Sequence, residues 1–204
     1  MVSHNALRRR EPVQERSRRR VERIRAAAMT LLESDGPDAV TTRAIADHAD
    51  VPVATVYQFF PNRDAILLEI VLDHLDRRDA EGAALLHELA PTSLGEVVHG
   101  IFEFHYTHLH RHPHLVTLHY TSVARGLLDD PRLRRAQFAH ALHTALLGWG
   151  LLHPDTDPLV TAVAVEMGDR VLELAYHAGP AGDRAVLTEG ERALTTYLQT
   201  YAVS

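Results

Sequence analysis

Residues 41–64, TTRAIADHADVPVATVYQFFPNRD, hold two short apolar-periodic runs separated by Ala49-Asp50-Val51-Pro52 and closed by Pro61-Asn62. The spacing predicts helices over about 42–49 and 53–59 joined by a tight turn, a helix-turn-helix whose second helix can enter a DNA major groove. For that, the first helix must bury Ile45, Ala46 and Ala49 and leave Thr42 and Arg43 at an exposed N-terminus. The second must bury Val56 and Phe60 while Val53, Ala54, Thr55, Tyr57 and Gln58 face outward.

Outward from that stretch the helical period persists. Upstream, a helix over roughly 15–34 sets Ile24, Ala27, Ala28, Leu31 and Leu32 on one stripe and stops at Gly36-Pro37, where glycine allows a left-handed cap and proline cannot continue. Downstream, Asn62 caps a long helix with Asp64 in its first turn and a stripe of Leu67, Ile70, Val71, His74 and Leu75. Further helices are predicted near 92–110, 112–124, 131–150, 157–178 and 184–202, punctuated by Pro113, Pro131, Pro154, Pro158 and Gly179-Pro180. No β-branched alternation marks a strand, so the predicted fold is all-α. A three-helix N-terminal domain bearing the helix-turn-helix is followed by a larger helical domain. The predicted division is a flexible basic arm over 1–15, the helix-turn-helix domain over 16–62, and the second domain over 63–204.

Charge is distributed unevenly. Residues 1–25 carry nine arginines against three glutamates, and the rest of the chain twelve arginines against 24 acids, so the overall charge of −6 conceals a basic end suited to a polyanion. Cysteine is absent, which removes disulfides, thiolate zinc sites, iron–sulfur clusters and thiol nucleophiles. No apolar run is long enough to span a bilayer and no secretion signal opens the chain, so a cytoplasmic protein without membrane contact is expected. H-E-x-x-H, G-x-S-x-G, P-loop and G-x-G-x-x-G patterns are all missing, and neither an enzyme nor a bound cofactor is expected.

The stretch quoted above resembles the DNA-binding domain of the tetracycline-repressor (TetR) family of bacterial regulators. Thr42, Ile45-Ala46, Ala49, Val51, Thr55, Tyr57, Phe60 and Asn62-Arg63-Asp64 carry the resemblance, which extends over about residues 16–75. It implies a ligand-responsive transcriptional regulator, a repressor by default, that binds a palindromic operator as a homodimer through its last two helices and is released by a small organic effector. Residue by residue, it implies that Thr42 and Arg43 touch phosphate or a flanking base, and that Val53, Ala54, Thr55 and Gln58 line the groove. Tyr57 would bond the sugar-phosphate backbone and Arg63 would pair with a phosphate. Three departures stand out: Asp50 where the family has a turn glycine, Pro52 where a Ser or Thr often caps the recognition helix, and Phe59 in place of a phosphate-contacting histidine.

For the dimer, the resemblance points to Leu159, Val163, Met167, Val171 and Leu174 on one helix and Leu187, Ala193, Leu194, Tyr197, Leu198 and Tyr201 on the other. For the effector pocket, the candidates are Phe102, His105, Tyr106, His119, Tyr120, Trp149, Glu166, Arg170, Glu173 and Tyr176, aromatic walls with a few polar groups. An alternative reading is a metal-responsive regulator, since His105, His108 and His112 recur at i, i+3 and i+7 with His119 beyond. Against it, Pro113 interrupts the helix at that point and no cysteine assists; no metal site is assigned.

Overall fold

The structure is a computed structural model that describes Arg8, residues 15–120 and residues 132–203, without the side chains of Val116, Thr117, His119, Tyr120 and Arg132. Among the described residues the fold is all-α. Its helices are α1 (Glu15–Asp35), α2 (Thr42–His48), α3 (Val53–Phe59), α4 (Arg63–Glu88), α5 (Leu94–Arg111), α6 (Pro113–Tyr120), α7 (Arg132–Gly148), α8 (Pro158–Tyr176) and α9 (Arg184–Gln199), with a 3-10 turn at Pro37–Ala39. Among the described residues the nearest thing to sheet is an isolated bridge between Leu152 and Ala202.

The chain forms two compact units. Among the described residues, the first contains Arg8, 15–76 and 114–120. Its core is closed by Ile24, Ala28 and Leu32 of α1, Ile45 and Ala46 of α2, Val56, Phe59 and Phe60, and Ile66 of α4. Leu115 and Leu118 of α6 join the same core. The predicted stripe of α1 is therefore buried except for the half-buried Leu31, and Gly36 ends the helix at φ +79°. Asn62 caps α4 through its side-chain oxygen, which accepts from the Ala65 amide at 2.9 Å. The predicted boundary at residue 63 differs from this division: residues 63–76 and 114–120 group with the helix-turn-helix because their apolar side chains fill its core.

The second unit contains residues 77–113 and, among the described residues, 132–203. Within it α8 packs between α7 and α9, and α9 also packs on α5. Gly190 sets the α8–α9 approach: a Cβ there would stand 2.3 Å from Val171 Cγ1. Three helices start on side-chain caps. Ser93 accepts from Glu96, Asp157 from Leu159, and Asp183 from Ala185 and Val186. Each satisfies amides that have no partner inside their helix.

Candidate nucleic-acid interface

Thr41 caps α2 by accepting from the Ala44 amide at 3.1 Å, which starts the helix just before Thr42 and Arg43. The helix ends on a Schellman motif: the amide of Asp50 donates to Asp47 O at 3.3 Å and that of Val51 to Ala46 O at 3.0 Å. Asp50 takes the left-handed position at φ +51°, so the departure from glycine is accommodated in the backbone conformation glycine would adopt. Pro52 precedes α3 without a side-chain cap, and the Thr55 amide falls instead to Pro52 O at 2.8 Å. The turn thus joins α3 to α2 through backbone hydrogen bonds.

On α3, Ala54, Tyr57 and Gln58 are exposed and Val53 and Thr55 half-buried. The opposite face is filled by Val56, Phe59 and Phe60. Phe59, which stands where the family has a histidine, is buried with them, because 56, 59 and 60 lie at i, i+3 and i+4 and form one apolar stripe. That spacing was visible in the sequence. The Tyr57 hydroxyl lies 3.1 Å from Thr42 Oγ1, so the two side chains assigned to the DNA backbone meet in a hydroxyl pair across α2 and α3. Arg43 is exposed at the N-terminus of α2.

Arg63 takes a different course. Its Nε donates to Val40 O at 2.6 Å and a terminal nitrogen donates to Pro37 O, so the guanidinium closes the 3-10 turn between α1 and α2. Asp64 stands 3.7 Å away. A charge-assisted donor on two carbonyls organises the base of the domain, a role that needed tertiary structure to be seen.

The second unit brings only some of the predicted effector residues together. Tyr106 and Tyr176 meet around His110: the Tyr106 and His110 rings are 3.9 Å apart, and Tyr176 meets His110 edge-on at 6.2 Å. The Arg184 guanidinium lies 3.9 Å over the Tyr106 ring and is bonded to Glu103 at 2.8 Å. Burial, with Tyr106 beside it, pushes the Tyr176 hydroxyl up to about 12. Phe102 is buried on α5. His105 is half-buried and pairs through Nδ1 with Ile101 O at 2.8 Å. Burial and the nearby Arg78 charge lower its pKa to about 4, so the ring is neutral at physiological pH.

Glu166 and Arg170 instead line an open groove with Leu159, Ala162, Val163 and Met167 on the outer side of α8. Arg135 holds Glu166 at 2.8 Å, and Glu173 pairs with Arg170. Trp149 is half-buried at the end of α7, its amide donating to Ala145 O. The side chains of His119 and Tyr120 lie outside the described residues. His110 and Arg184 were not anticipated, because their partners lie 71 and 81 residues away in the chain.

The histidines at 105, 108 and 112 do not converge. His105 turns Nδ1 to its own helix, and His108 is buried against Glu81 at 3.3 Å with its pKa lowered by that burial. Among the described residues no three His, Asp or Glu side chains are placed to hold one metal ion.

Comparison with known proteins bears on the first unit most directly. A family profile described as "Bacterial regulatory proteins, tetR family" matches residues 24–70, the segment from the core of α1 through the start of α4. Residues 24–70 thus form a TetR-type DNA-binding segment. The HTH-type transcriptional repressor KstR of Mycobacterium tuberculosis is 39% identical over 67 residues, 33% of this chain and 30% of that protein. The matched stretch thus spans less than a third of that relative's length. Among solved structures, a TetR-family transcriptional regulator from Streptomyces coelicolor is 29% identical, with a TM-score of 0.56 over 90% of this chain and 98% of that one. The fatty acid degradation regulator FadR from Bacillus halodurans, 16% identical, shares the fold with a TM-score of 0.58 over 85% of this chain and 97% of that one. The TetR-type helix-turn-helix of this chain therefore comes with a second helical unit of the kind such regulators carry.

Proposed function

We propose that this chain is a TetR-family transcriptional repressor that binds a palindromic operator as a homodimer and releases it when a small organic molecule occupies the second unit. The observation that carries the reading is the α2–α3 geometry, in which Thr42, Arg43, Ala54, Tyr57 and Gln58 stand outside a core closed by Ile45, Val56, Phe59 and Phe60. Val53 and Ala54 offer apolar contact to a thymine methyl, whereas Thr55, Gln58 and Arg43 offer hydrogen bonds to base edges. Such a surface does sequence-specific binding and no bond chemistry, and it belongs in the cytoplasm where the DNA is. Among the described residues no helix is long and apolar enough to cross a membrane.

A twofold dimer presents two copies of α3 to half-sites about 34–36 Å apart or a multiple of that. Support for the dimer comes from Leu159, Val163 and Leu174, which are large, apolar and exposed on one side of α8, with Tyr201 and Val203 exposed near the end of the chain. Leu187, Leu194 and Leu198 of α9 are core of their own unit, so the pairing surface is drawn chiefly from α8 and the outward residues of α9.

Effector action follows from a two-state equilibrium: a ligand that prefers the conformation with mismatched α3 spacing shifts the population only by its differential affinity. The aromatic group of Tyr106, His110 and Tyr176 favours an organic effector over a metal. Selection of operator from random duplexes, followed by titration of the complex with apolar and aromatic compounds and with divalent metals, tests the whole reading. Failure to enrich any sequence rejects it, and release by a metal at micromolar free concentration replaces the organic effector with an ion.

A further inference from the structure

The apolar stripe of α3, made of Val56, Phe59 and the C-cap Phe60, faces the core of the first unit. A helix turns about 100° per residue, so the side chains directly opposite this stripe are Ala54 and Gln58, one turn apart. Both are exposed. Val53 and Tyr57 fall on one flank and Thr55 on the other, and Val53 and Thr55 are half-buried. The Tyr57 hydroxyl lies 3.1 Å from Thr42 Oγ1, on the side of α3 that meets the start of α2. When α3 enters the major groove with its core-facing side away from the DNA, Ala54 and Gln58 are the side chains nearest the base edges.

The composition of this face decides what it can read. No residue of α3 is acidic or basic. Of the arginines that flank it in sequence, Arg63 is held by the carbonyls of Pro37 and Val40, and Arg43 stands on α2. The commonest specific contact with guanine, an Arg or Lys side chain donating to both O6 and N7, is therefore closed to α3. A glutamine amide suits adenine instead, its nitrogen donating to N7 while its oxygen accepts from the N6 amino group. Guanine presents two acceptors at the same edge, so the amide oxygen would find no donor there. Ala54 offers a methyl group and nothing else, and its complement in the major groove is the 5-methyl group of thymine.

We propose that Gln58 is the specificity-determining residue of α3 and reads an adenine, and that Ala54 reads the methyl group of a nearby thymine. Each operator half-site then carries A·T pairs, and no guanine, where the outermost side chains of α3 touch it. The proposal rests on the DNA-binding reading above and adds to it the identity of the bases.

The test begins with selection of duplexes from a random pool by the full chain and by Gln58→Ala. Both side chains at issue are exposed, so the variants should melt as the unaltered protein does. One position in each half-site should lose its preference in Gln58→Ala, and in the operator of the unaltered protein that position should be adenine. Replacing that adenine by 7-deazaadenine in one half-site deletes the N7 acceptor and keeps the base pair. It should weaken the unaltered protein about fivefold, the worth of one hydrogen bond, and leave Gln58→Ala where it was. Gln58→Arg should move the preference at the same position from adenine to guanine, a gain that damage to the fold would not produce.

The methyl contact is tested with uracil in place of each half-site thymine in turn. One replacement should weaken binding about threefold, the worth of a small apolar contact, and the same replacement should have no effect on Ala54→Gly. If glycine loosens α3 so that this variant does not melt cooperatively, Ala54→Ser serves, since it puts a hydroxyl where the methyl stood. Guanine at the Gln58-dependent position overturns the proposal, as do half-site preferences that survive Gln58→Ala unchanged or uracil effects that are the same with and without the Ala54 methyl. In each of these outcomes sequence-specific binding itself stands. A chain that enriches no sequence rejects the DNA-binding reading, and the base assignment falls with it.

Discussion

The outward faces of α3 and α8 are both left uncovered by the chain, and they differ in chemistry. On α3 the uncovered side chains are small or polar: Ala54, Tyr57 and Gln58, with Val53 and Thr55 half-covered. On α8 they are large and apolar, Leu159 at 65% and Leu174 at 62% exposure with Val163 between them. A surface that hydrogen-bonds to base edges and phosphates keeps its polar groups hydrated until DNA displaces the water, whereas an apolar stripe gains only by covering itself with another apolar surface. The contrast teaches that the composition of an uncovered helix face narrows the kind of partner it suits, and it supports the proposal of nucleic acid for α3 and a second copy of the chain for α8.

The largest expected effect breaks the second half of that contrast. Leu159→Glu combined with Leu174→Glu places charge in the middle of the proposed pairing surface without touching the core. Sedimentation should show monomer, and operator affinity should fall about 100-fold or more, because two tethered recognition helices bind far more tightly than one. A double variant that still sediments as a dimer removes this face of α8 from the interface.

Arg63→Ala sharpens the first half. The family resemblance makes Arg63 a phosphate ligand, and loss of one such contact should lower the salt slope by about one unit with the melting curve unchanged. The structure places its guanidinium on the carbonyls of Pro37 and Val40. The expected outcome is therefore a loss of about 2 kcal/mol of stability, the scale of charged hydrogen bonds, with the salt slope intact. Calorimetry and a salt titration of the same variant separate the two roles.

These residues also mark where the sequence was sufficient and where it was not. The helix-turn-helix was legible because its determinants are local: Ile45, Ala46 and Ala49 on one stripe, an αL-tolerant Asp50 before Pro52, and Asn62 as a cap. Phe59 was noted only as a departure from a family histidine, although the i, i+3, i+4 spacing with Val56 and Phe60 already pointed to its burial. Arg63 finds its acceptors 23 and 26 residues back, and Arg8 finds Glu69 61 residues on; no local pattern encodes either pairing. The apolar residues of α8 and α9 looked alike in sequence, since periodicity says that a stripe exists and not what covers it. Packing put Leu187, Leu194 and Leu198 inside and Leu159, Val163 and Leu174 outside. The effector residues were the least legible, because a pocket collects side chains from helices distant in sequence and each aromatic residue serves equally well as core.

Tyr57→Phe is a smaller perturbation of α3. The ring stays, the hydroxyl paired with Thr42 goes, and so does the donor offered to a phosphate. Operator affinity should fall about 5-fold, equivalent to one hydrogen bond of roughly 1 kcal/mol, with a similar loss on unrelated duplexes. A loss confined to the operator would mean that the hydroxyl reads a base.

The smallest effect concerns the turn that aims α3. Asp50 sits at φ +51°, where a side chain with a Cβ is strained and aspartate is better tolerated than most. Asp50→Gly relieves that strain but adds freedom to the unfolded chain, so the net gain should be only about 0.5 kcal/mol. Asp50→Ala keeps the Cβ and gives up the local hydrogen bonding by which aspartate tolerates this region, and it should lose about 1 kcal/mol. The Schellman hydrogen bonds from Asp50 and Val51 to Asp47 and Ala46 are backbone contacts and survive in both variants, so the difference isolates the conformational term. Both substitutions also delete a carboxylate from an exposed turn next to the recognition helix, which should raise affinity for any duplex slightly and equally. Opposite signs in thermal stability with matched DNA affinities are the expected result. Equal melting temperatures would mean that the αL position carries no strain, and that glycine would serve the turn no better than the aspartate found there.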